Sequence, residues 1–137
     1  MTRKESREIA FTILFEYSFD QSSGIIEHYE RAIQERDVED NAFVRTLLGG
    51  VEKHIADIDT AIETYSEKWK RTRIGQVTMA ILRLATFEML YLDDVPLRVS
   101  LNEAIELAKK FDDEKAYGFV NGVLNALMHD QRAVGER

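Results

Sequence analysis

Along Gln76 to Leu92 the chain reads QVTMAILRLATFEMLYL, and apolar side chains run almost all the way round it. At about 100° per residue, Gln76, Arg83 and Thr86 share one narrow polar strip. Thr78 and Glu88 stand alone elsewhere on the wheel. So thin a wet face predicts a central helix packed on several sides. Its length, about 26 Å at 1.5 Å per residue, suits a small domain and falls short of a membrane span. Turn signals bracket it, with Gly75 before and Asp93-Asp94-Val95-Pro96 after.

Other helices are expected to wrap this one. The first spans Thr2 to Phe19, with Thr2-x-x-Glu5 as a capping box. Ile9, Ala10, Ile13, Leu14 and Tyr17 share one face, and Phe11, Phe15 and Phe19 a second. Burial on two sides is favoured over an exposed aromatic platform. Asp20 to Gly24 reads as a turn, and a short helix follows from about Ile25 to Arg36. After a turn over Asp37 to Asn41, Val44, Leu48, Val51, Ile55, Ile58, Ile62 and Tyr65 recur in alternating steps of four and three. That stripe predicts a long amphipathic helix packed in a bundle. Gly49-Gly50 weakens it and Asp57 could restart it as an N-cap, so one bent helix or two are both compatible.

Beyond Pro96, Ser100-x-x-Glu103 reads as a second capping box, opening a helix to about Phe111 that buries Leu101, Ala104, Ile105 and Ala108. Asp112-Asp113 ends it and starts a last helix to about Met128, with Ala116, Val120, Val123, Leu124 and Leu127 inward. Gly122 costs roughly 1 kcal/mol against alanine in mid-helix, so a close contact with the central helix is expected there. The tail from Gln131 to Arg137 reads as frayed. The expected fold is all-α: a single-domain bundle over residues 1–137, about six to seven helices around a central apolar helix at about 76–92.

Composition agrees, with one proline and seven glycines in 137 residues. There is no cysteine, which removes disulfides, thiolate metal sites and a thiol nucleophile. The apolar run from Ile9 is interrupted by Glu16 and Asp20, unlike a signal peptide, so a soluble cytoplasmic protein is the expectation. A net charge of −7 argues against indiscriminate binding to phosphate backbones. Any nucleic-acid surface must then be a local basic patch on an acidic body. Two patches qualify. Arg3, Lys4 and Arg7 crowd the leading end of the first helix, where cations oppose the macrodipole. Lys68-Trp69-Lys70-Arg71-Thr72-Arg73 holds four cations and no acid. A solvated helix end explains the first nearly as well as a polyanion does, and for the second a core-plugging Trp69 with solvated cations is favoured over a phosphate-binding loop.

No catalytic set stands out. His28, His54 and His129 fall in different elements, and there is no phosphate loop or nucleophile elbow. Asp93-Asp94 and Asp112-Asp113 sit at helix ends, where turn and cap roles account for them. No enzyme activity, metal or cofactor is expected.

Leu101-Asn102-Glu103-Ala104-Ile105-Glu106-Leu107-Ala108-Lys109, followed by Phe119-Val120-Asn121-Gly122-Val123-Leu124, resembles the C-terminal signature of the NusB family. Arg7-Glu8-Ile9-Ala10, Gly50-Val51, Ile58-Asp59, Ala80 to Ala85 with Phe87-Glu88, and Val95-Pro96 extend the likeness over nearly the whole chain. The resemblance implies an all-helical transcription antitermination factor. With NusE, a small-subunit ribosomal protein, it would bind a single-stranded boxA element of ribosomal RNA leader transcripts and join RNA polymerase with other Nus factors. It also implies sites. Arg3, Lys4 and Arg7, with Lys115, Tyr117 and Phe119, are the expected RNA-binding residues, Phe119 being the favoured base-stacking ring and Phe111 lying in the same region. The family's arginine-rich run is thinner here and mixed with Glu5 and Glu8, which makes a cationic partner more necessary. Gln76, Thr78 and Arg83, on an exposed side of the central helix, are the expected NusE contacts. A homodimer is compatible with the resemblance. Two other readings stay open: the NusB-like domain of an rRNA cytosine methyltransferase, which needs a large further domain with a methyl-donor site, and a helical adaptor without RNA binding.

Overall fold

The computed structural model describes residues 1–66 and 74–135. The basic run from Lys68 to Arg73, with Trp69, lies outside the described residues. Among those described there are seven helices and no strand: α1 (Arg3–Phe19), α2 (Ile25–Glu35), α3 (Ala42–Tyr65), α4 (Gln76–Tyr91), α5 (Leu97–Phe111), α6 (Glu114–Met128) and α7 (Gln131–Val134). α4 is the axis: it packs against α1, α3, α5, α6 and α7, while α2 packs on α1 and α3. None of these helices is long and apolar enough to cross a membrane.

The thin polar strip expected on α4 is not a wet face. Every residue from Thr78 to Met89 is buried, and of the three strip residues only Gln76 is exposed. Arg83, Glu88 and Thr78 are instead absorbed by neighbours, while the Thr86 hydroxyl is buried without a hydrogen-bond partner among the described residues. The Arg83 guanidinium donates two 2.9 Å hydrogen bonds to the Asp59 carboxylate on α3. Glu88 accepts from Arg7 of α1 at 2.9 and 2.8 Å and from the Ser100 hydroxyl of α5 at 2.9 Å. The Thr78 hydroxyl donates to Asp112 at 2.5 Å. A helical wheel cannot tell a solvated polar residue from one that meets a buried partner far away in sequence.

Local signals placed most helix ends correctly. The Thr2 hydroxyl accepts from the Glu5 N–H at 3.1 Å while the Thr2 N–H donates to the Glu5 carboxylate at 3.0 Å, the expected capping box. The bond from the Thr2 N–H holds the Glu5 carboxyl below its ordinary pKa. Asn41 caps α3 through Phe43 and Val44, and Asp113 caps α6 through Ala116. The turn ahead of α3 passes through Asp37 in the left-handed region, φ 54°, which aspartate tolerates better than most residues.

Five local expectations need correction. α5 begins three residues before Ser100, at Leu97 behind Pro96, so Ser100 is no cap but a buried partner of Glu88. The bend in α3 falls at His54 (φ −113°, ψ 18°), three residues ahead of Asp57 and clear of Gly49-Gly50. Gly50 serves a different need: a Cβ there would stand 2.1 Å from the Phe87 ring of α4, so the missing side chain lets the aromatic ring lie on the α3 backbone. Gly122 has no neighbour within 4 Å of where its Cβ would be and faces solvent rather than α4. On α1, Phe11 is buried and Phe15 half-buried, but Phe19 is 66% exposed at the helix end. The tail is not frayed throughout: Asp130 caps α7, Val134 is buried, and the Tyr65 hydroxyl donates to Asp130 at 2.5 Å.

The two glycines should therefore respond to alanine with opposite sign. Gly50→Ala forces a methyl against Phe87 and should cost about 1–3 kcal/mol, as overpacking does. Gly122→Ala should stabilise by up to about 1 kcal/mol, the helix-propensity difference, because nothing opposes the methyl. Urea denaturation of the two variants reads both.

Candidate nucleic-acid interface

α1 begins with three cations, and the fold separates them. Arg7 is only 4% exposed, turned inward onto Glu88, with a further 3.6 Å approach of Nη1 to Glu103 on α5. It is a structural tie, which corrects its expected place on the solvent side. Arg3 and Lys4 remain exposed. The Arg3 guanidinium lies 4.1 Å from the centre of the Phe43 ring of α3, within cation–π range.

Because Arg7 clamps α1 to both α4 and α5, the leading end of α1 lies beside the trailing end of α5. There the last turn carries Lys109 and Lys110, where cations favour the helix dipole. A cleft of about 280 Å³ runs between the two helices, with Lys4, Arg7, Lys109 and Lys110 on its walls beside Glu8, Glu103 and Glu106. Lys110 reaches the Glu8 carboxylate at 2.7 Å and also lies 5.3 Å from the Phe111 ring centre. Phe111 stacks on Phe11 at 4.9 Å and is still 40% exposed. Lys109 lies 5.3 Å from the ring centre of Tyr117, itself 39% exposed, one turn into α6. Lys115, two residues before Tyr117, is also exposed. The hydrogen bond from Thr78 to Asp112 fixes this α5–α6 corner to the start of the central helix.

The result is a face of exposed lysine heads set next to partly exposed rings. Cations suit phosphates, and flat rings suit unstacked bases. Of the expected RNA residues, Arg3, Lys4, Lys115 and Tyr117 are exposed, with Lys4 on the cleft wall and Tyr117 beside Lys109, whereas Phe119 is half-buried against the core. Phe111 offers more open ring than Phe119. Lys109 and Lys110 were not singled out from sequence, although their adjacency at the end of the Leu101–Lys109 motif was a usable signal. The expected NusE triad does not form a surface. Gln76 is exposed, but Thr78 and Arg83 are 6% and 7% exposed and engaged by Asp112 and Asp59.

The profile of the NusB family matches residues 4–129. This chain belongs to the NusB family. It is 41% identical over 133 residues to the transcription antitermination protein NusB of Clostridium acetobutylicum, covering 94% of this chain and 96% of that one. With NusB of Bacillus subtilis the identity is 42% over 130 residues, covering 95% and 97%. Among solved structures, T. maritima NusB superposes with a TM-score of 0.86 at 32% identity, covering 95% of this chain and 92% of that one. A crystal structure of antitermination factors NusB and NusE in complex with dsRNA gives 0.81 at 29% identity, covering 92% and 95%. The all-α bundle around α4 is thus the NusB fold.

The burial contrast along α1 has a direct consequence. Arg7→Ala leaves the Glu88 carboxylate buried without its cation and should cost about 3–5 kcal/mol. Lys4→Ala, on the exposed side three residues earlier, should stay within about 0.5 kcal/mol of the parent. Chemical denaturation of both variants checks the pair.

Proposed function

We propose that this protein is a transcription antitermination factor acting in the cytoplasm. It binds boxA-type RNA of ribosomal RNA leader transcripts together with NusE and carries them to RNA polymerase with the other Nus factors. The observation that carries the reading is the α1–α5–α6 face of a NusB-family chain. Cations and open rings gather there on a protein whose net charge is −7. Arg3, Lys4 and Lys115 hold phosphates, and Tyr117 stacks on a base, with Phe111 replacing Phe119 as the second platform. The relatives in hand are named antitermination proteins, and one related structure pairs NusB with NusE and RNA. The C. acetobutylicum relative is matched over 96% of its length, which leaves that protein no room for a methyl-donor domain. The whole chain acts as one NusB-like domain.

NusE, being a ribosomal protein, is expected to be basic, and the acidic body away from the RNA face is its complement. Opposite charge speeds encounter and adds specificity. Of the three residues first expected at that contact, Gln76 alone is available, at the exposed start of α4.

Fluorescence anisotropy of a short single-stranded boxA-like RNA, with and without NusE, tests the assignment. The expected result is synergy with NusE and much weaker binding of a scrambled RNA. Arg3→Ala with Lys4→Ala should flatten the salt dependence by about 0.7 in the log–log slope per lost phosphate contact. Tyr117→Ala should weaken binding by about 1–3 kcal/mol with the slope unchanged. Slopes and affinities all equal to wild type would move the RNA site off this face. The rate of complex formation with NusE should fall as salt rises.

A further inference from the structure

The α1–α5 cleft is not simply basic. Its walls carry four cations, Lys4, Arg7, Lys109 and Lys110, against three carboxylates, Glu8, Glu103 and Glu106. Arg7 is committed to Glu88 and approaches Glu103 at 3.6 Å. Lys109 and Glu106 are 3.9 Å apart, both more than half exposed, which is a loose helix-surface pair. The contact between Lys110 and Glu8 is different. It is short at 2.7 Å, joins two helices, and engages the lysine head that stands over Phe111. Glu8 also follows Lys4 by one helical turn, and both line the cleft with Lys110.

We propose that Glu8 is an electrostatic gate on the RNA site: a built-in competitor that holds the Lys110 ammonium until an RNA phosphate displaces it. This rests on the RNA-binding reading given above. A phosphate entering the cleft must compete with the Glu8 carboxylate for the Lys110 charge and must sit close to a fixed negative charge. Only a strand held by further contacts, on Tyr117 or through NusE, meets that cost. Glu8 thereby lowers the affinity of every RNA that enters the cleft, so that a strand without further contacts falls below useful binding.

The test uses the full chain, alone and with NusE, titrated into boxA-like and scrambled RNA of equal length. Glu8→Gln keeps the side-chain shape and removes the charge. It should tighten binding at low salt by about threefold to tenfold, as expected for one charge a few ångströms from a phosphate in a wet site. It should steepen the log–log salt slope by about 0.7 as Lys110 becomes free to neutralise a phosphate. The gain should appear with both the scrambled and the boxA-like RNA. Glu35→Gln makes the same charge change at an exposed position on α2, outside the cleft, and should match wild type. Melting curves of both variants should overlay the parent. If wild type binds the boxA-like RNA but Glu8→Gln and Glu35→Gln behave alike, the gate is wrong and the RNA site stands. If wild type binds neither RNA, with or without NusE, the RNA-binding reading fails and the gate with it.

Discussion

Two charged residues sit inside the central helix of this bundle, and the surrounding helices are arranged to satisfy them. Arg83 and Glu88 are 7% and 2% exposed. An unpaired charge at such a depth costs several kcal/mol, a large share of the roughly 5–15 kcal/mol that holds a domain together. Asp59 must therefore come from α3, Arg7 from α1 and Ser100 from α5. These contacts are directional where hydrophobic packing is not. They set the rotation and the axial position of three helices against α4, which apolar burial alone would leave loosely specified. The Gly50–Phe87 approach adds a steric tie between α3 and α4.

The surface assigned to RNA is a by-product of that interior. Since Arg7 is drawn inward to Glu88, the residues before it on α1 are carried to the end of α5, and Lys4 meets Lys109 and Lys110 across a cleft. Phe11, buried on the same helix, supplies the ring on which the half-open Phe111 rests. The lysine and arginine heads at the site are long and mobile, but the backbone that presents them is fixed by buried ion pairs. Asp112 repeats the logic at the α5–α6 corner, where its bond to Thr78 ties the stretch bearing Tyr117 to the core.

What could be read from the sequence follows the range of the interaction. Helices set by local periodicity and caps emerged within a residue or two, as α1 and α6 show. The contacts that join helices did not emerge. Arg7 and Glu88 lie 81 residues apart, and Arg83 and Asp59 lie 24 apart. No local pattern distinguishes such a residue from a solvated one, so Arg7 was placed on the RNA face and Arg83 on a partner face. Ser100 illustrates the same confusion at short range, since a serine three residues before a glutamate matches a capping box whether or not its hydroxyl is needed elsewhere. Lys109 and Lys110 were overlooked because each is unremarkable alone; they matter only once the fold sets them beside Lys4. The family likeness, by contrast, was legible in the C-terminal motif, because that motif packs within α5 and α6.

An acidic protein with a small cationic face is suited to selective rather than general RNA binding. On the proposed reading, at most five exposed cations, Arg3, Lys4, Lys109, Lys110 and Lys115, are available to phosphates. At roughly 0.7 per contact, their combined salt slope is about 3.5 at most. Affinity would then fall about a hundredfold between 50 and 200 mM salt, short of the range for proteins with more phosphate contacts. With Lys110 held by Glu8 the electrostatic share is smaller still. The balance has to come from terms that salt does not screen: bases on open rings, and contacts shared with a partner. Those terms depend on which bases are present and on whether the partner is bound. On the proposed reading, the same scarcity of cations that limits affinity places recognition in the hands of sequence and of NusE.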